Sequence, residues 1–448
     1  MSPEQLQQRK TKTTSRLARQ LPQGISTVSV VGLGYVGLPL SLIAAARGYH
    51  VIGFDIDDVK VAQLARREAN FLSESEEAEF KHAKHLSITS DERMLIDVDA
   101  FLICVPTPVN DEHEPNLAPL ISACTIVGRH LSPGALVVVE STVNPGVCEE
   151  VALATLSRVS GLNKNEFDFA HCPERINPGD KRYDVATIPR VIGGATARAL
   201  ERASKLYESF LEAPVMKMDS IKEAEAVKMI ENAFRDINIA FVNELAVSFD
   251  RVGIDIVNVI RGASTKPFGF MPFYPGCGVG GHCIPVDPHY LIRYGREHGF
   301  EHTFLLAARR INSRMPHYCV HILEQALREQ GKKLRGSTIA LLGVAYKRDV
   351  PDTRESPAAV ILDELVRRGA IVRTFDPYVA STSARTLPDA LKDADAALIA
   401  TDHSQFCYLA PQFFEENGVT LVIDGRNCLD KDLFADSPVV YRGIGRSV

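Results

Sequence analysis

The sequence predicts an α/β protein with two doubly wound, Rossmann-like halves, joined by a long central helix and a helical block. Three observations carry this expectation. Strand-like apolar runs alternate with helix-like amphipathic stretches along most of the 448 residues, the pattern of a sheet covered on both faces. The run VSVVGLGYVG (28–37) sets G-x-G-x-x-G after one such run and before a helical stretch. Two segments recur near the C-terminus: ARGYHVIGFD (46–55) is echoed by RRGAIVRTFD (367–376), and DVDAFLICVP (97–106) by DADAALIATD (393–402).

Thr27–Val31 should be the first strand, Leu38–Arg47 the helix after the glycines, Gly48 its cap, and His50–Phe54 the second strand. Gly32 permits the tight turn, Gly34 lets a pyrophosphate approach the backbone, and Gly37 lets helix and strand pack closely. Tyr35 and Val36 complete this cofactor loop, and the helix N-terminus favours negative charge. Asp55 closes the second strand, about 20 residues on, where it can accept both ribose hydroxyls of NAD. A 2′-phosphate would meet its charge, so NAD is expected rather than NADP. Glycines that merely turn a loop are the alternative, but strand, helix, strand and acid stand in the required order.

Further strands are expected at Ala100–Val105 and Leu136–Glu140, ending in VPTP and ESTVNPG. Ligands of doubly wound sheets bind beyond such ends. Thr107 and Thr142 are therefore candidates to touch cofactor or substrate, or else to cap a turn or helix. A short strand, Phe167–His171, leads into HCPERINPGD (171–180), which carries Glu174 and Arg175. A helical pattern starting near Ile221 runs well beyond a usual helix. On it Lys228 and Asn232 are i and i+4 and share a face. The lysine can supply charge to a developing alkoxide and the asparagine can donate to the same oxygen. A solvated surface pair is the alternative, tempered by the apolar character of the helix, which suits burial in a dimer interface.

After LRGS (334–337) the pattern begins again. Thr338–Ala345 should be a strand, Pro357–Arg368 a helix, and Ala370–Phe375 a strand ending in Asp376. This half lacks G-x-G-x-x-G and carries GVAYKRDVPDTRESP (343–357), where Lys347, Arg348 and Arg354 could meet phosphates. The first half is expected to hold NAD and the second a different nucleotide. The expected division is a basic, disordered leader over 1–24, a cofactor domain over 25–218, a helical dimerisation domain with a cysteine loop over 219–330, and a second nucleotide domain over 331–448.

The cysteine loop is PGCGVGGHCIPVDP (275–288). Cys283 follows a glycine-rich stretch that can bend sharply, and Asp287 follows four residues on. A thiolate is a strong nucleophile and a good leaving group. Joined to a nucleotide cofactor, it suggests oxidation through a thioester. The alternative is a buried thiol acting as a small hydrophobe. Cys277 is either an oxidation-sensitive thiol or a small residue that fits. His282 either tunes Cys283 or packs into the loop. Cys277, His282, Cys283, Asp287 and His289 could also be read as a zinc cluster. Adjacent residues seldom ligate one ion, however, and the spacing matches no common finger, so no metal is expected.

Composition excludes other classes. Apolar residues make up 45% and charged residues 24%, as in globular proteins. A net charge of −6 argues against nucleic-acid binding as the main task. Nine cysteines without paired spacing fit a reducing compartment. No apolar run could span a bilayer, and residues 1–24 lack the apolar centre of a secretion signal. A cytoplasmic location is expected.

In these motifs the chain resembles the nucleotide-sugar 6-dehydrogenases, the UDP-glucose/GDP-mannose dehydrogenase family. The resemblance runs from about Val28 to about Asn427 through VGLGYVGLP, VPTP, ESTVNPG, CPERINPGD, KMIEN, GCGVGGHCIPVDP and GVAYKRDVPDTRESP. PGCGVGGHCIPVDP and PERINPGD resemble the members acting on UDP-N-acetylhexosamines most. The resemblance implies a four-electron oxidation of C6 of a UDP-sugar, UDP-N-acetylglucosamine being the first choice, with NAD as acceptor and a cysteine thiohemiacetal and thioester on the way. It implies that Cys283, Lys228, Asn232 and Asp287 form the core, with Thr142 and Glu174 beside them to place a water. Glu174 would be the base for hydrolysis, with Arg175 next to it at the substrate. The resemblance further places Arg261 near the sugar nucleotide of a neighbouring subunit, Gly276, Gly280 and Gly281 around the substrate, Arg354 near NAD, and Lys347 at the far nucleotide pocket. A homodimer or higher homo-oligomer is implied. A non-catalytic nucleotide-binding protein on this scaffold would be expected to lack part of the cysteine, lysine, asparagine and aspartate set, and all four are present.

Overall fold

The computed structural model describes residues 22, 24–69, 71–108, 115–176, 183–281 and 284–447. Of the leader expected over 1–24, all but residues 22 and 24 lie outside them. The chain divides into two compact units, Met1–Lys228 and Met229–Val448. The boundary falls inside one helix, Ile221–Asp250, about 45 Å long at 1.5 Å per residue.

In the first unit the described strands are β1 (Thr27–Val31), β2 (His50–Phe54), β3 (Leu86–Thr89), β4 (Ala100–Ile103), β5 (Leu136–Val139), β6 (Asp168–His171), β7 (Arg190–Gly194) and β8 (Val215–Lys217). They form one sheet in the order β3-β2-β1-β4-β5-β6-β7-β8. Neighbours are parallel except β6 and β7, which run antiparallel with Ala170 opposite Gly194 and His171 opposite Gly193. Successive side chains point to opposite faces. Val28, Val30, Leu102 and Val138 therefore enter one core with Leu38, Leu42 and Leu206. Val31, Phe101, Ile103 and Val139 enter the other with Leu120, Val127 and Leu156. Burial on both faces is why the central strands β4 and β5 read as unbroken apolar runs.

The second unit repeats the design. Strands β9 (Thr338–Leu342), β10 (Ile371–Phe375), β11 (Ala396–Ile399), β12 (Leu421–Asp424), β13 (Val440–Gly443) and β14 (Arg446–Ser447) are ordered β10-β9-β11-β12-β13-β14. Ile339, Leu341 and Leu398 face the helix Thr303–Glu329 and its neighbours, whereas Ala340, Leu342 and Ile399 face Leu387, Phe406 and Phe414. Ser356 caps the helix Pro357–Arg367 by accepting from the Ala358 N–H, with proline in its first turn. Strands expected to reach Val105, Glu140 and Ala345 end at Ile103, Val139 and Leu342. The residues beyond belong to the motif-bearing loops.

Candidate active site

The glycine loop of the first unit is built by close approach. A side-chain carbon on Gly37 would lie 1.9 Å from the Gly32 carbonyl oxygen, and Gly32 holds φ +96°. Gly34 is different: nothing lies within 4 Å of the position its Cβ would take. Asp55 bolts the loop to the end of β2. Its Oδ2 accepts from the Leu33 N–H at 2.9 Å and from Lys60 Nζ at 2.9 Å; Oδ1 accepts from the Asp57 N–H at 3.1 Å. The sequence reading had assigned Asp55 only a ligand-binding task. Tyr35 stands exposed with its ring 4.9 Å from Phe71, and Val36 is half-buried.

Beyond β4 and β5, Thr107 Oγ1 donates to the Thr142 carbonyl at 2.6 Å and Ser141 Oγ to the Val105 carbonyl at 2.7 Å. The hydroxyl of Thr107 thus ties VPTP to ESTVNPG, and Thr142 sits half-buried at the junction. Glu174 lies past the end of β6, where Arg190 Nη1 donates to its Oε2 at 3.1 Å. Arg175 Nη1 donates to the Pro189 carbonyl at 2.9 Å. Glu225, one turn before Lys228 on the long helix, accepts from the N–H groups of Gly146 at 2.6 Å and Cys148 at 2.8 Å.

On that helix Lys228 and Asn232 are 9% and 7% exposed, so they are not a solvated pair. In the second unit Asn232 Nδ2 donates to Asp287 Oδ2 at 2.6 Å. Asp287 is buried in the first turn of the helix Asp287–Glu297, where the helix dipole favours its charge. A directed relay holds the loop leading there. The Gly276 N–H donates to Asn243 Oδ1 at 2.9 Å, Asn243 Nδ2 to Asn312 Oδ1 at 2.9 Å, and Asn312 Nδ2 to Asp236 Oδ1 at 2.8 Å. Arg309 ends it with a 2.6 Å contact to Asp236. The Gly281 N–H donates to the Arg354 carbonyl at 3.1 Å, and Cβ atoms on Gly280 or Gly281 would strike Tyr346. The fold itself therefore demands these glycines.

Cys283 and His282 lie outside the described residues, which resume at Ile284. Cys277 is buried and its thiol donates to the Ala400 carbonyl at 3.1 Å; burial pushes it up, the character of a small residue that fits. Arg261 is exposed on the helix Ile256–Ala263. Lys347 is half-buried in the loop after β9, and Arg354 pairs with Asp352 at 2.6 Å.

Residues 26–211 match the NAD binding domain of the UDP-glucose/GDP-mannose dehydrogenase family, residues 222–314 its central domain, and residues 340–431 its UDP binding domain. A UDP-N-acetyl-D-glucosamine 6-dehydrogenase of Pseudomonas aeruginosa is 39% identical over 415 residues, covering 90% of this chain and 97% of that protein. The chain belongs to the UDP-glucose/GDP-mannose dehydrogenase family. It is similar as well to a UDP-N-acetyl-D-mannosamine dehydrogenase of Pyrococcus horikoshii, 36% identical over 94% of this chain and 99% of that one. A solved structure of a UDP-D-ManNAc dehydrogenase from Pyrococcus horikoshii superposes with a TM-score of 0.88 at 35% identity, covering 94% of this chain and 99% of that one.

As a member of this family the chain is an NAD-dependent nucleotide-sugar dehydrogenase. Its own geometry fits NAD: open space at Gly34 for a pyrophosphate, and a carboxylate at Asp55 for a ribose. The dehydrogenase's second half answers differently at the equivalent position. Asp376, at the end of β10, accepts from the Val344 and Ala345 N–H groups at 2.8 and 2.9 Å and contacts His403 Nε2 at 2.9 Å. His403 Nδ1 accepts from the Asp349 N–H at 2.9 Å, so Nε2 carries the proton and donates to Asp376. Burial raises the Asp376 carboxyl, but His403 and backbone N–H groups outweigh it and bring it down to about 2. This acid is spent on the fold.

Sequence reasoning missed Glu140, Arg190, Glu225, Asn243 and Asn312. Arg190 had left a signal: a charged residue heading the apolar strand RVIGG must be paired if buried. Among the described residues no His, Cys, Asp and Glu cluster could hold a metal ion, and no helix is long and apolar enough to cross a membrane.

Proposed function

We propose that this dehydrogenase oxidises C6 of a UDP-N-acetylhexosamine to the uronic acid, with UDP-N-acetylglucosamine as the first choice of sugar. The supporting observation is that Lys228, Asn232, Cys283 and Asp287 are all present, with Asn232 bonded to Asp287 at 2.6 Å. The named relatives favour N-acetylhexosamines, and they leave UDP-N-acetylmannosamine as the rival sugar. UDP-N-acetylgalactosamine is a further candidate.

NAD bound at Gly32–Gly37 and Asp55 supplies the hydride acceptor, once per oxidation. The protein's own residues do the rest. Lys228 and Asn232 stabilise the oxyanion at C6. Asp287 holds or accepts the proton of the alcohol or water. Cys283 adds to the aldehyde, and the thiohemiacetal keeps it bound while leaving a hydrogen on C6 to be removed. Glu174, with Thr142, orients water against the resulting thioester and takes its proton. Residues 331–448 hold the UDP moiety with help from Lys347. Arg175, Arg261, Gly276, Gly280 and Gly281 contact the sugar nucleotide, and Arg354 approaches NAD. We further read the chain as a cytoplasmic homodimer built on the central helix, where Ile230, Phe234 and Phe241 remain exposed, serving polysaccharide synthesis.

The test is NADH formed per sugar, with NAD and a panel of UDP-N-acetylhexosamines, UDP-glucose and GDP-mannose. Two NADH per molecule of one UDP-N-acetylhexosamine supports the four-electron reaction and names the sugar. Turnover of only UDP-glucose or GDP-mannose refutes the substrate class. No turnover with any of them refutes the catalytic reading.

A further inference from the structure

Past the end of β6 one buried cation meets two carboxylates. The antiparallel register of β6 and β7 pairs 170 with 194 and 171 with 193, and continuing it brings Glu174 level with Arg190. Arg190 is wholly buried. Its Nη1 donates to Glu174 Oε2 at 3.1 Å and to Glu140 Oε2 at 3.3 Å. The other oxygens are also engaged: Tyr207 donates to Glu140 Oε1 and the Ile176 N–H to Glu174 Oε1. Both oxygens of each carboxylate therefore accept a hydrogen bond.

A buried ion pair serving stability alone needs every donor satisfied. Arg190 Nε and Nη2 are buried and reach no acceptor among the described residues. Two carboxyl groups also share this one guanidinium. Asp168 is the opposite case, with one buried carboxylate held by Arg198 and Arg202 from the partly exposed side.

We propose that Arg190 and Glu140 are positioning residues for Glu174: Arg190 fixes the direction of its carboxylate, and Glu140 competes for the same guanidinium. This rests on the reading of Glu174 as the base for hydrolysis. In that step water adds to the thioester carbonyl and gives its proton to Glu174. The C–S bond then breaks, Cys283 leaves as thiolate, and the uronic acid is released.

Glu140 sets how much of the cation is left for Glu174. Its carboxyl is pushed up to about 7, by burial first and by Glu174, against the pull of Arg190 and Tyr207. The nearby thiols of Cys104 and Cys172 are pushed up by burial and stay neutral. While Glu140 holds a proton, the charge of Arg190 is set against Glu174 alone. Once Glu140 ionises, the guanidinium is shared, and the added negative charge favours drawing a proton from the water. Hydrolysis should therefore quicken as pH rises through about 7.

The test uses full-length Glu140→Gln, Arg190→Lys and Glu174→Gln, with NAD and whichever UDP-N-acetylhexosamine the NADH assay selects. First-turnover NADH, sugar covalently attached to the protein by mass spectrometry, and released acid are followed against pH. For Glu140→Gln and Arg190→Lys we expect unchanged first-turnover NADH, accumulated adduct, and acid release slowed about tenfold or more. Glu140→Gln, isosteric and uncharged, should also lose the rise through about pH 7, and it decides the matter if Arg190→Lys does not fold. Acid release and a pH profile like the wild type in Glu140→Gln would overturn the proposal. If Glu174→Gln itself releases acid normally, the reading of Glu174 falls. If it accumulates adduct while the other two do not, only the positioning role falls.

Discussion

Asn232 Nδ2 and Asp287 Oδ2 are 2.6 Å apart, and each is almost wholly buried. One side chain comes from a long helix and the other from the first turn of a short one. Asn232→Ala removes a donor from a buried carboxylate, which costs about 1–3 kcal/mol of stability. It should also lower kcat by about 100-fold, the scale of losing one oxyanion donor. Asn232→Asp sets two carboxylates against each other, and one must then hold a proton. Its kcat should recover partly at low pH. A pH-independent loss equal to that of Asn232→Ala would argue that the charge of this pair does not matter.

Gly34 and Gly37 should respond to alanine in opposite ways. Gly37→Ala places a carbon 1.9 Å from the Gly32 oxygen and should cost about 3 kcal/mol in urea unfolding. Gly34→Ala meets nothing within 4 Å, so its stability should stay within about 0.5 kcal/mol of the wild type. Its NAD affinity should fall about tenfold, or 1.4 kcal/mol. Equal effects on stability would contradict the packing account of this loop.

Glu225 predicts a pH dependence of stability. Burial pushes its carboxyl from 4.5 up to about 7, outweighing the N–H bonds from Cys148 and Gly146, and Glu149 adds to the rise. A raised carboxyl holds its proton longer in the folded state. Its contribution is complete below about pH 4.5 and is lost as pH rises through about 7. The wild type should lose about 2–3 kcal/mol over that window. Glu225→Gln should start lower, since one amide oxygen replaces two acceptors, and run flatter. Parallel melting-temperature profiles for the two proteins would rule this out.

The relay from Gly276 through Asn243 and Asn312 to Asp236 has only one direction, because the backbone N–H at Gly276 can only donate. Asn243→Asp keeps shape and the acceptor for Gly276 but removes the donor to Asn312. It should cost about 1–3 kcal/mol and loosen the loop leading to Cys283. Chemical denaturation and the alkylation rate of Cys283 measure the two effects. A stable variant with unaltered alkylation would show that Asn243 does not hold this loop.

Cys283→Ser should abolish net acid formation while leaving NAD binding intact, as titration of cofactor fluorescence and product analysis can show. Full acid production by the variant would overturn the thioester route.

Much of the fold was legible in advance because its signals are local. Thr27–Val31 and His50–Phe54 are strands with the expected bounds, since strands covered on both faces are apolar at most positions. The glycine loop was legible because Gly32 and Gly37 lie close in sequence as well as in space. The acid closing each second strand was visible too, but not its bonds. Asp55 and Asp376 occupy matching places, yet only Asp376 is sealed by a histidine, and that histidine, His403, comes from 27 residues away.

By itself the sequence determined the alternating layers, the cofactor half, the cysteine loop and the family, because apolar period, turn chemistry and motif order all act over short spans of chain. Only the tertiary structure decided which buried polar groups meet. Arg190 meets Glu140 across 50 residues, and Gly276 meets Asn243 across 33. A buried donor must find an acceptor, but nothing local in the chain says which one. Strand register and helix packing make that choice.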